Sequence, residues 1–128
     1  MGQTVMTTKR ILIVDDDADI REATQLCLEI MGEWEVLKAS NGLDGIAIAR
    51  SEKPDAILLD MMLPGMDGLT ILQKLREHTE TQKIPIIILT AKAQSYEQKT
   101  FRKLKVASVI TKPYDPLTIS DQIDSALV

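Results

Sequence analysis

Hydrophobic residues in this chain fall into two alternating kinds of segment. Ile11–Val14, Ala56–Leu59 and Ile86–Leu89 are short, unbroken apolar runs bounded by polar or turn residues. Each is too short for a buried helix and predicts a strand covered on both faces. Trp34–Ala39 alternates more and predicts a strand nearer an edge, and Val106–Thr111 is a fifth candidate, stopped by Pro113. Between them lie helix-length stretches. Ile20, Ala23, Cys27 and Ile30 recur at spacings of three and four, the apolar stripe of a helix ending near Gly32. Leu69, Ile71, Leu72 and Leu75 predict a helix after Gly68, and Ser95-x-x-Gln98 is a capping-box pattern ahead of Phe101 and Leu104. Asp115-Pro116 sets an N-cap before a proline at the first helical position, ahead of Ile119, Ile123 and Leu127. Ser40–Arg50, with Ile46 and Ala49, carries the weakest helical pattern of the five. Met1–Lys9 is polar and aperiodic and reads as a tail.

Five β–α pairs in succession predict an α/β fold: a parallel sheet with helices on both faces, joined by right-handed crossovers. In such sheets ligands gather at the carboxyl ends of the strands, near the switch in strand order. Composition narrows the class further. A chain of 128 residues fits one domain, and at 45% hydrophobic it buries a core without a metal or disulfide staple. One cysteine, Cys27, forms no internal disulfide, and with the single histidine, His78, it cannot build a Cys/His zinc site. The net charge of −4 argues against a face that binds nucleic-acid phosphates. No apolar run approaches the length of a membrane span, and Met1–Lys9 lacks a signal peptide's apolar stretch. A soluble, single-domain, cytoplasmic protein is the expectation.

The strand ends carry the chemistry. The first ends in Asp15-Asp16-Asp17, the third in Asp60, the fourth in Thr90 and the fifth in Lys112. Singly, each has a plain structural reading: Asp17 or Asp19 caps a helix, the threonine finishes a strand, and Lys-Pro turns the chain. Jointly they bring carboxylates, a hydroxyl and an ammonium to one rim. Clustered carboxylates repel one another unless a cation offsets them. All-oxygen ligation suits Mg²⁺, which keeps several waters and shares a phosphate readily. With Lys112 neutralising an incoming phosphoryl group, Asp60 is placed to act as its acceptor.

These residues carry a resemblance. Ile11–Asp17, Leu58–Gly68 with its Asp-x-x-x-Pro-Gly-x-Asp-Gly loop, Pro85–Ala91 and Ile110–Pro113 resemble the response regulator receiver domain of two-component signalling. The likeness runs over nearly the whole chain, with residues 1–8 as the tail and 9–128 as the receiver. It implies a flavodoxin-like (βα)5 fold with strand order 2-1-3-4-5. It also implies that Asp60 accepts the phosphoryl group from a phosphohistidine, on a sensor histidine kinase or a histidine phosphotransfer protein. Asp16 and Asp60 would ligate Mg²⁺ together with the backbone carbonyl of Met62, and Asp15 would hold the ion through water. Thr90 and Lys112 would each take a phosphoryl oxygen, and a cis peptide would join Lys112 to Pro113. The family implies self-catalysed phosphotransfer and autodephosphorylation rather than turnover of a separate substrate. Output would run through Ser95–Leu104, Val106–Thr111 and Asp115–Leu127. With no further domain expected, that output would be a protein target, a phosphorelay or a phosphorylation-dependent homodimer, without direct contact with nucleic acid or membrane.

Several positions tune or qualify that expectation. Three residues before the lysine many receivers carry an aromatic switch, and here Val109 stands in its place. A glycine common before the fifth strand is replaced by Lys105, which with Lys99, Arg102 and Lys103 makes a basic strip. That strip reads as a solvated helix end, or else as a dock for an acidic partner. Ala91 is small and would leave the phosphorus accessible, while the resemblance implies that Met62 and Lys92 flank the path of hydrolytic water. Apolar Met62 cannot hydrogen-bond that water, which predicts a longer-lived phosphorylated form. Cys27 reads as core, His78 as remote from the site, and Gly42 and Gly65 as turn residues. Competing functions fit less well: a flavodoxin-like FMN carrier would need a phosphate cradle where Asp15-Asp16-Asp17 stands. A haloacid-dehalogenase-type phosphatase would need a second acid at position 62, and a degenerate scaffold would not need the acidic set intact.

Overall fold

A computed structural model describes residues 9–91 and 98–127. The elements alternate throughout: β1 (Arg10–Val14), α1 (Ala18–Met31), β2 (Glu35–Ala39), α2 (Gly42–Glu52), β3 (Ala56–Asp60), α3 (Gly68–Glu77), β4 (Ile86–Thr90), α4 (Gln98–Lys103), β5 (Ser108–Thr111) and α5 (Pro116–Leu127). The strands form one sheet in the order β2-β1-β3-β4-β5, every pair parallel.

Side chains alternate across the sheet with a period of two, and this divides each apolar run between two cores. Leu12, Val14, Ile57, Leu59, Ile86 and Ile88 face one side and pack with Ile46, Ile71, Leu72, Leu75 and Phe101. Ile11, Ile13, Leu58, Ile87, Leu89 and Ile110 face the other and pack with Leu28, Trp34, Ile119 and Ile123. β3 and β4 are buried at every position, whereas edge strand β2 keeps only Ala39 buried. Unbroken and alternating runs thus mark central and edge strands as the pattern predicts.

The helix ends follow local chemistry. Asp17 caps α1 by accepting from the amides of Asp19 and Ile20, Asn41 caps α2, and Asp67 caps α3. The Asp115 carboxylate accepts from Leu117 N at 2.9 Å where α5 begins. α4 closes with paired bonds from Lys105 N to Arg102 O and from Val106 N to Phe101 O, a Schellman turn. Lys105 takes its left-handed position at φ 57°. Its carbonyl and that of Leu104 accept from Arg76, which also reaches the carbonyls of Thr81, Gln82 and Ile84. One guanidinium therefore ties α3, the α3–β4 connection and the end of α4 together.

Four expectations are corrected. The buried positions of α1 are Thr24 and Leu28, while Ala23 is exposed and Ile30 is 71% exposed. Ile20 and Cys27 are half-buried, so Cys27 borders the core rather than filling it. Apolar residues stand on more than one side of this helix, and the side that packs contains a threonine, which a search for apolar spacing passes over. β5 begins at Ser108, because Val106 belongs to the Schellman turn and Ala107, whose N bonds to Ile86 O, leads from that turn into the strand. β2 begins at Glu35, with Trp34 buried just ahead of it. Gly42 opens α2 instead of making a turn, and a Cβ there would lie 2.6 Å from Ile71 Cδ1. Gly65, at φ 84°, does serve a turn. Ser95 and Lys92 lie outside the described residues.

Candidate functional site

Strand alternation explains why the site assembles. Asp15 continues the Ile11 and Ile13 side of β1, Asp60 the Ala56 and Leu58 side of β3, and Lys112 follows Ile110 by two residues. All three therefore leave the sheet on the face covered by α1 and α5. The β1–β3 register pairs Val14 with Leu59, so the next residues, Asp15 and Asp60, stand level. The Lys112–Pro113 peptide is cis, as the resemblance implies.

Asp15, Asp16 and Asp60 each offer an oxygen within 4.8 Å of the others. Asp60, 2% exposed, has both oxygens engaged: Oδ1 accepts from Met62 N at 2.9 Å and Oδ2 from Lys112 Nζ at 3.0 Å. Asp15 is fully buried, and its Oδ1 accepts from Asp17 N at 2.9 Å. Its Oδ2 is buried with no hydrogen bond, 3.6 Å from Lys112 Nζ. Burial raises the Asp15 carboxyl above the usual aspartate range; the Asp17 amide and Lys112 pull it down, and Asp60 and Asp16 push it up. Burial draws the Lys112 ammonium down, but the hydrogen bond and charge of Asp60, with Asp15, outweigh it and leave Lys112 above its ordinary value.

Thr90 ends β4 fully buried, and its carbonyl accepts from Lys112 N at 2.8 Å. Ala91 is exposed, Met62 is 56% exposed beside the acidic group, and Val109 is half-buried against the α2–α3 side of the core. His78 caps the far end of α3, away from the rim. Two contributors escape a motif search. Arg21 of α1 donates to the Asp15 carbonyl at 2.7 Å and steadies the acidic loop. Thr24 and Tyr114, the latter two residues after Lys112, share a 2.5 Å hydrogen bond. Arg21 does stand one turn after the acidic run, a spacing that lets it reach back to that loop. Beside the carboxylates opens a largely apolar cleft of about 440 Å³, lined by Ile20, Ala23, Ala91, Pro113, Tyr114 and Pro116, with Asp19 and Lys112 also contributing.

A doubly wound five-stranded sheet with three carboxylates and a lysine at its carboxyl rim defines a class, and the family match agrees. Residues 11–124 match the model of the response regulator receiver domain, and the chain belongs to that family. It is 40% identical over 118 residues to Protein PilH of Pseudomonas aeruginosa, covering 92% of this chain and 97% of PilH. It is 41% identical to the phosphate regulon transcriptional regulatory protein PhoB of the same organism, covering 95% of this chain but 53% of PhoB. The chain thus spans about half of PhoB. Among solved structures, the chemotaxis response regulator CheY4 of Vibrio cholerae superposes with a TM-score of 0.84 at 25% identity, over 94% of this chain and 99% of that one.

Proposed function

We propose that this receiver accepts a phosphoryl group on Asp60 from the phosphohistidine of a sensor histidine kinase or histidine phosphotransfer protein, in a Mg²⁺-dependent reaction. The observation that carries the reading is the Lys112 ammonium 3.0 Å from Asp60 Oδ2, beside a carboxylate cluster that a cation would complete.

The donor set fits Mg²⁺. It consists of oxygens, and the buried Asp15 Oδ2 lacks a hydrogen bond, leaving an acceptor that a cation or its bound water would satisfy. Asp15, Asp16, Asp60 and the Met62 carbonyl would hold the ion, which would supply positive charge against the phosphoryl oxygens. The chain's own residues do the rest. The Met62 amide and Lys112 fix the Asp60 carboxylate in one orientation, so little rearrangement precedes attack. As an Asp60 oxygen bonds to phosphorus, the P–N bond of the donor breaks and its electron pair returns to the imidazole. Lys112 then pairs with a phosphoryl oxygen, and Thr90 takes another. Exposed Ala91 leaves the approach to phosphorus open. The cleft on α1 seats an apolar surface of the donor protein, and a separate target or relay protein reads the phosphorylated state.

Incubation with Mg²⁺ and acetyl phosphate tests the reading. One base-labile phosphate, absent without Mg²⁺ and absent from Asp60→Asn, is expected. A chain that takes no phosphate and fails to bind beryllofluoride overturns it.

A further inference from the structure

Lys112 has to lie close to Asp60 before transfer and follow the phosphoryl group afterwards, so the loop that carries it has to be held. Its backbone is fixed on one side, where Lys112 N donates to Thr90 O at 2.8 Å. Beyond Pro113 the next anchor is Tyr114. That ring is half-buried against the α1–α5 side of the core, and its hydroxyl shares a 2.5 Å hydrogen bond with Thr24 Oγ1. Thr24 is fully buried in α1. After Tyr114 the loop ends at Asp115, which caps α5.

A valine and a phenylalanine would fill nearly the same space without burying two hydroxyls. What the hydroxyl pair adds is direction, because a hydrogen bond fixes the ring along its length where apolar contact leaves it free to slide. The bond joins α1 to the loop two residues from Lys112. Tyr114 also lines the apolar cleft, together with Lys112 and with Ile20 and Ala23 of α1. Burial raises the Tyr114 phenol above its usual value, which keeps the hydroxyl protonated and able to bond through the neutral range.

We propose that Thr24 and Tyr114 are a positioning pair for phosphoryl transfer, their hydrogen bond fixing the loop so that the Lys112 ammonium stays in register with Asp60. The inference rests on Asp60 being the phosphoacceptor. Neither residue touches the reacting atoms. Their loss slows transfer without removing the acceptor or the cation's carboxylates.

The test compares the full chain with Thr24→Val, Tyr114→Phe, their double variant and Thr24→Ser, under acetyl phosphate and Mg²⁺. Each single variant is expected to lower the phosphorylation rate about three- to tenfold, the loss for a slightly misplaced group. The double variant is expected to be no slower than either single one, since both remove the same bond. Thr24→Ser, which keeps the hydroxyl, is expected to restore the rate to within about twofold on the same reasoning. Mg²⁺ affinity, measured by calorimetry on the unphosphorylated chain, is expected to be unchanged in all four. Unaltered rates in both single variants, or a Thr24→Ser rate as low as that of Thr24→Val, would overturn the inference alone. A wild-type chain that takes no phosphate overturns the phosphoacceptor reading, and the inference with it.

Discussion

Replacing Asp15 with asparagine is expected to make the metal-free protein more stable and to weaken the response to Mg²⁺ that the proposed function requires. Asparagine keeps the shape of the side chain and the acceptor for Asp17 N, and exchanges the charged, unbonded Oδ2 for a neutral amide NH2 facing Lys112. The charge interactions nearly cancel. Attraction to Lys112 Nζ at 3.6 Å is about 4–5 kcal/mol at an effective dielectric of about 20. Repulsion from Asp60 within 4.8 Å is about 3–4 kcal/mol by the same rule, and exposed Asp16 adds about 1 kcal/mol or less. What remains is the burial of a fully enclosed carboxylate with one oxygen unbonded. Relieving it gives the variant about 1–2 kcal/mol in EDTA at neutral pH.

Mg²⁺ is expected to reverse the order. At 100 times its dissociation constant a cation stabilises the wild type by about 2.7 kcal/mol. The variant, short one carboxylate, gains about 1 kcal/mol or less at the same concentration. Urea unfolding followed through Trp34, the single tryptophan and 4% exposed, reads both numbers. The pH dependence carries a sign. Because burial raises the Asp15 carboxyl in the folded chain, the folded state binds that proton more tightly than the unfolded one. The variant's advantage is therefore full above the raised value and shrinks as pH falls towards the ordinary 3.8. An Asp15→Asn protein that is less stable in EDTA, or that gains as much from Mg²⁺ as the wild type, would contradict this role for the Asp15 carboxylate.

Three further substitutions probe the scaffold and the phosphoryl lifetime. Lys105→Gly relieves a side chain held at φ 57° and is expected to stabilise the fold by about 0.5–1 kcal/mol in urea titration; a loss of stability would count against the Schellman account. Arg76→Lys keeps the charge but cannot fork to five carbonyls. A loss of about 2–3 kcal/mol is expected, and a change within about 0.5 kcal/mol would show that the clamp adds little. Met62→Asn places a hydrogen-bonding group beside Asp60, and the phosphorylated form is expected to decay about two- to tenfold faster, the kinetic equivalent of one hydrogen bond. An unchanged or slower decay, followed by release of inorganic phosphate, would sink that idea.

Strand order, the double core and the acidic rim were legible because they rest on period-two burial and on side chains standing directly at strand ends. Asp15 and Asp60 come together by register, Asp16 joins them as the residue that follows Asp15, and Lys112 stands two residues beyond Ile110 on the same face. The face of α1 was not legible. Thr24 is buried by virtue of a bond to Tyr114, ninety residues away in sequence, and only tertiary structure reveals that partner. Arg76 was missed for a related reason: its acceptors are backbone carbonyls, which leave no mark in the pattern of side chains. Lys105 stood out as a departure from a glycine, and the structure supplies the cause. The Schellman turn demands a left-handed residue there, and its hydrogen bonds hold a lysine in that conformation despite the strain.

Asp60 is the proposed carrier of the phosphoryl group. After exposure to acetyl phosphate and Mg²⁺, borohydride reduces an aspartyl phosphate to homoserine at the modified position, and peptide mass spectrometry locates it. Homoserine at position 60, and nowhere else in the acidic cluster, is the predicted result. Homoserine at Asp15 or Asp16 with Asp60 intact, or none at any aspartate, would contradict the claim.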